Sequence, residues 1–184
     1  WVLLVCHEIG HQFGATHSFY GTESNCSART ASSAYEPGSG TTIMSYQGIC
    51  GSQNIGSVRE DYFHAISLQQ IRTFINGISC NTTIATGNTP PVANANPNAG
   101  SYTIPIQTPF EMTGTATDAN GDPITYCWDE YDSDGSAGGA PNDAANSTTA
   151  PLFRSFYPTT NPNRTFPQLS DILNNTQTIG EILS

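Results

Sequence analysis

The chain has 184 residues, enough for one ordinary domain or two small ones, and only 11% of them are charged. It contains no lysine, and fifteen acids against five arginines leave a formal net charge of −10, which repels phosphate backbones and anionic headgroups and argues against nucleic-acid or membrane-surface partners. No apolar run approaches the roughly 18 residues that a membrane-spanning helix needs.

An apolar helical pattern begins at Trp1 with no Ser, Thr, Asp or Asn before it to cap the helix, which reads as a piece of a longer protein. Leu3, Cys6, Gly10 and Phe13 fall on one face of a helix over residues 1–14, and Gly14 offers the stop. Within and just beyond it lies His7-Glu8-Ile9-Gly10-His11-Gln12-Phe13-Gly14-Ala15-Thr16-His17, a complete H-E-x-x-H-x-x-G-x-x-H pattern. Residues four apart on a helix are neighbours, so His7 and His11 can aim at one ion. Gly14 permits a left-handed exit, after which His17 swings back as a third ligand. Three neutral imidazoles with a position left open are the donor set of a catalytic zinc site. Glu8 projects one helical step from the ligand face and is placed to act as the general base.

Glycine-rich loops follow, carrying Thr42-Ile43-Met44-Ser45-Tyr46. A second helix is expected from Ser67 to about Ile75, with Ser67 and Gln70 as a capping box, Leu68, Ile71, Phe74 and Ile75 buried, and Gly77 as the stop. His64 has no spaced partner and reads as structural. Composition changes near residue 81, and the run NTTIATGNTPP over 81–91 reads as a linker between a first part, 1–80, and a second, 92–184. The second part predicts strands at 102–106, 110–117, 124–128 and 152–157, the pattern of an immunoglobulin-like β-sandwich with fewer strands than a complete one. The fold class is therefore α+β. Asp118, Asn120 and Asp122, with Asp132 and Asp134, offer oxygen ligands for Ca2+, although no EF-hand glutamate follows and ordinary turn chemistry competes.

Five cysteines, Cys6, Cys26, Cys50, Cys80 and Cys127, contain no C-x-x-C pair, which favours disulfides in an oxidising compartment over a cysteine zinc site. Cys6 lies about 100° around the helix from His7 and is assigned to the core or a disulfide. Sequence does not fix the connectivity. Cys26 to Cys50 is the expected pair, since it would tie the loop after His17 to the segment after Met44.

The segments HEIGHQFGATHSF, AYEPGSGTTIMSY and DYFHAISLQQI resemble the metzincin clan of zinc endopeptidases, and most closely the bacterial secreted reprolysin-like, adamalysin-related peptidases. The resemblance covers about residues 1–80 and implies the lower half of a catalytic domain: His7, His11 and His17 on zinc, Glu8 catalytic, and Met44 as an apolar base beneath the ligands. Ser18 stands where many adamalysins have Asp. Met44-x-Tyr46 is similar to the serralysin and astacin turn, which implies that Tyr46 ligates zinc or stabilises an oxyanion, against a packed structural role. The implied function is a secreted endopeptidase acting on extracellular protein or peptide substrates. Two alternatives stand beside it: a non-enzymatic β-sandwich binding module with a degenerate site, which the intact Glu8 opposes, and a different metal-dependent hydrolase, which the Met44 turn opposes. Because the clan aligns substrate along an upper subdomain that precedes the active-site helix, these 184 residues alone are expected to be a poor protease, with Leu3, Cys6 and Phe13 partly exposed.

Overall fold

Helix α1 (Val2–Gln12) forms without a side-chain cap at Trp1. Its exit is a double hydrogen-bonded turn around Gly14, whose φ of 82° needs a glycine. There the Ala15 N–H bonds the Gly10 carbonyl and the Gly14 N–H bonds that of His11, each at 3.0 Å, satisfying carbonyls that the helix end leaves open. The computed structural model describes residues 1–133, 138–139 and 149–183. Loops with short 3-10 turns at Ser24–Ala28, Ala31–Ser33 and Gly51–Gln53 connect α1 to helix α2 (Ala65–Gly77).

Helix α2 starts two residues earlier than its sequence predicts. His64 is the N-cap and its ring accepts from the Ile66 N–H, while the Asp129 carboxylate, from far along the chain, accepts the Ala65 N–H at 2.8 Å. Ser67 is therefore inside the first turn, buried, with its hydroxyl unpartnered. Gln70 does not close a capping box; it binds Thr16, accepting from its N–H at 3.0 Å and donating to its hydroxyl at 2.9 Å. Leu68, Phe74 and Ile75 are exposed, and Ile71 packs with Leu3, Cys6 and Phe63 around Ala15, Ile43 and Met44.

The second part holds four short strands, β1 (Val92–Asn94), β2 (Phe110–Thr113), β3 (Thr115–Thr117) and β4 (Asn163–Phe166), and helix α3 (Leu169–Asn174). They make two antiparallel pairs, β1 with β3 and β2 with β4, the latter with Phe110 opposite Phe166. The expected strand at 102–106 does not form, and those at 124–128 and 152–157 shrink to single bridges, Tyr126 with Thr159 and Phe153 with Glu181. Alternation alone missed β1 and β4 because each is only three or four residues long. Phe110, Phe153 and Phe166 cluster with Trp128, and Arg164 lies over the Phe166 ring while paired with buried Glu181 at 2.6 Å.

Several contacts join the second part to the first. Leu152 packs on the cluster of Tyr20, Ala34 and Ala150. Arg154 pairs with Glu60 at 3.2 Å, and the Tyr62 hydroxyl lies 2.9 Å from Ser155 Oγ.

Candidate metal centre

The histidine site is built by α1 and the stretch that follows its exit turn. His7 and His11 sit one turn apart on α1, and the turn at Gly14 returns the chain so that His17 faces them, with ring centroids 5.4 Å from His7 and 4.9 Å from His11. Each ring is anchored by its inner nitrogen. His7 Nδ1 donates to the Ile43 carbonyl at 2.7 Å, His11 Nδ1 to that of Ala15 at 2.8 Å, and His17 Nδ1 to that of Ala28 at 2.9 Å. A carbonyl can only accept, so all three protons reside on Nδ1 and every Nε2 presents a lone pair.

Those lone pairs converge. One ligand atom from each histidine lies within 4.8 Å of the others, and the Nε2 atoms of His7 and His11 are 3.2 Å apart. His17 Nε2 is buried without a hydrogen-bond partner. Two lone pairs facing each other and a third orphaned beside them are electrostatically unfavourable unless a cation lies between them, so the residues present fit a metal ion. Burial pushes His7 down to about 4 against the Ile43 hydrogen bond, and burial also lowers His17 against the Ala28 bond. Both are therefore neutral at pH 7, as ligands must be.

Met44 is fully buried beneath α1. A Cβ added at Gly10 would come within 2.5 Å of the Met44 sulfur, so Gly10 is what lets the turn approach the helix. Tyr46 packs beside the site with its ring 4.3 Å from His17 and stacked at 5.7 Å on His7. Glu8 is exposed, on the helix face next to His7. Cys6 is a partly exposed free thiol packed against the Met44 cluster, and His64 is a helix cap.

The support around the ligands was invisible in the motif. Glu36 is 1% exposed, and its carboxylate receives Ser18 Oγ at 2.6 Å, the Thr41 and Thr42 N–H groups at 2.7 and 3.1 Å, and Thr42 Oγ1 at 2.5 Å. It thus joins the residue after His17 to those before Met44. A second network runs from Gln70 through the Thr16 hydroxyl to Ser33 Oγ at 2.7 Å, and from Ser33 to the His17 carbonyl at 2.6 Å. One signal was available in the sequence, since Glu36 is the sole charged residue between Arg29 and Arg59. The Cys26–Cys50 disulfide forms as expected, in contact with Phe19 and Tyr46. Of the calcium candidates, Asp118 spends a carboxylate oxygen on the N–H groups of Asn120 and Asp122, an ordinary turn, and Asp134 lies outside the described residues. Among the described residues the histidine triad is the one group of side chains arranged to hold a metal, so calcium has no support.

Residues 1–74 match the family model described as Metallo-peptidase family M12B Reprolysin-like. The match and the triad together support a zinc metallopeptidase segment. No curated protein and no solved structure matches the chain. The matched stretch contains both helices' site-forming residues, including all three histidines, Glu8, Met44 and Gln70, and ends before the β-rich part.

Proposed function

We propose that residues 1–80 are the zinc-binding lower half of the catalytic domain of a secreted endopeptidase, with His7, His11 and His17 as the metal ligands. The observation that carries this reading is the shared orientation of the triad: three Nδ1 protons tied to backbone carbonyls and three Nε2 lone pairs turned to one point. A zinc ion held there would supply Lewis acidity toward a scissile carbonyl and make an attacking water more acidic.

The remaining steps belong to the chain. Glu8 stands next to a ligand on a rigid helix with its side chain in solvent, where it can take the proton of the attacking water and return it to the leaving amine. Tyr46, packed on His7 and His17, is the candidate donor to the developing oxyanion. Substrates are extended peptides of extracellular proteins; the disulfide is consistent with an oxidising compartment, and no helix of the described residues is long and apolar enough to cross a membrane. The reading of 92–184 as an immunoglobulin-like module after a linker at 81–91 rests on the sequence pattern and on the two antiparallel strand pairs.

Elemental analysis of the folded protein should find one zinc per chain, and Glu8→Ala should retain it while hydrolysis of an unstructured protein falls by at least about a hundredfold. Absence of any bound transition metal after folding with zinc would overturn the ligand assignment. Near-normal turnover by Glu8→Ala would place the base elsewhere.

A further inference from the structure

We propose that Arg59 recognises a carboxylate at the histidine site, so that the preferred substrates carry an acidic group, from a side chain or a C-terminus, next to the scissile bond. This rests on the peptidase reading and extends it to a substrate class.

The backbone brings Arg59 to the site. The Glu60 N–H bonds the Thr41 carbonyl at 2.8 Å and the Ile43 N–H bonds the Tyr62 carbonyl at 3.0 Å, so residues 60–62 run alongside 41–43, the segment whose Ile43 carbonyl anchors His7. Arg59 enters this pairing half-buried. Yet among the described residues it makes no ion pair and no hydrogen bond, whereas Arg154 and Arg164 are each paired with a glutamate. Of the acids whose charge reaches it, Glu8 is exposed and makes no ion pair with it, and the others are committed elsewhere. Glu60 is held by Arg154, by the Tyr62 hydroxyl at 2.6 Å and by Thr41 Oγ1 at 3.3 Å, and the Glu36 carboxylate is filled by its four donors.

The charge is nevertheless felt across the site. Burial lowers the Arg59 pKa from its ordinary value, with Tyr46, Glu8 and Glu36 opposing. A partly desolvated guanidinium without a partner is costly, and its flat fork of donors matches a carboxylate with two parallel hydrogen bonds. In a protein of net charge −10, a carboxylate is repelled by most of the surface and attracted here.

The test uses three short peptide hydroxamates, in which the hydroxamate supplies a zinc-binding group common to all: a neutral peptide amide, the same peptide with one glutamate adjacent to the hydroxamate, and the neutral peptide with a free C-terminal carboxylate. Dissociation constants are measured on zinc-loaded protein for wild type, Arg59→Ala and Arg59→Lys, each checked for equal zinc content and an unchanged near-ultraviolet spectrum. At least one acidic probe should bind wild type about tenfold or more tighter than the neutral probe, the worth of one charge-assisted hydrogen bond. The two acidic probes show which carboxylate source is read. Arg59→Ala should abolish the preference, and Arg59→Lys should retain part of it through charge without the fork. Equal binding of all three probes by wild type, or the same preference in Arg59→Ala, would overturn the proposal. Failure of the neutral probe to bind would instead strike at the metal reading, and the acidic probes measured on zinc-free protein would then still have to show the Arg59-dependent preference.

Discussion

Replacing Glu36 by glutamine and by alanine separates the two things its carboxylate does. One oxygen accepts the Thr41 and Thr42 backbone N–H groups, which have no other role to take; the other accepts the Ser18 and Thr42 hydroxyls, which can rotate and accept instead. Glutamine can turn its carbonyl to the two N–H groups and its amide to the two hydroxyls, losing charge assistance but no partner, at a cost of about 1–2 kcal/mol. Alanine orphans two buried N–H groups at about 1–3 kcal/mol each and opens a cavity, so roughly 4–5 kcal/mol is expected. That is a large share of an ordinary stability of about 5–15 kcal/mol. With a urea slope near 2 kcal/mol/M, the midpoint should fall by about 2–2.5 M for alanine and about 0.5–1 M for glutamine. Because Ser18 follows His17 and Thr42 precedes the carbonyl that anchors His7, zinc affinity should fall in the same order. If the two variants unfold at the same midpoint, or alanine lies within 0.5 M of wild type, the carboxylate is not what closes this loop.

Gly10→Ala sets a gain in helix propensity of about 1 kcal/mol against a Cβ placed 2.5 Å from the fully buried Met44 sulfur, and overpacking of about 1–3 kcal/mol should prevail. A chelator competition should show weaker zinc binding; a variant more stable than wild type with unchanged zinc affinity would show that Met44 yields freely. In zinc-free protein, His7 titrates at about 4 when folded because of burial, against about 6.5 when unfolded. Between those values the unfolded chain takes up more protons, so stability falls as pH drops from 6.5 to 4. The difference between wild type and His7→Gln should therefore shrink, or reverse, by about 3 kcal/mol over that window. Urea midpoints at the two ends measure it, and a difference independent of pH would refute the burial argument.

The ligand set and the turn at Gly14 were legible because their chemistry is local: spacing on a helix and a left-handed residue at its end. The start of α2 was not, because its cap is supplied by Asp129, sixty-four residues away in sequence from Ala65. Ser67 and Gln70 have the right types for a capping box, yet Ser67 is buried inside the first turn with its hydroxyl unpartnered, and Gln70 is drawn into a tertiary contact with Thr16 that local patterning does not encode. The exposure along α1 was legible in part. Leu3, Cys6 and Phe13 are partly exposed as expected, Leu3 and Cys6 while packing on Met44 and its neighbours, but Trp1, Val2, Leu4, Val5 and Ile9 are exposed as well. Periodicity identified an apolar stripe there, but α1 is apolar around more than one face, and only packing decides which face is covered. In the second part, short runs of Thr, Asn and Pro supplied alternation without enough residues per strand to fix pairing.

The carbonyl that orients His17 belongs to Ala28, the last residue of the turn that also carries Cys26, and Cys26 is bonded to Cys50. His7 and His11 are tied to it less directly; their anchors come from the Met44 turn, whose Tyr46 touches the disulfide, and from the end of α1 itself. A thiol reductant therefore acts unequally on the three ligands. It loosens the mount of the third histidine while leaving the helical pair intact, so a reducing buffer would turn a three-point site into a two-point one and shed its metal without unfolding α1.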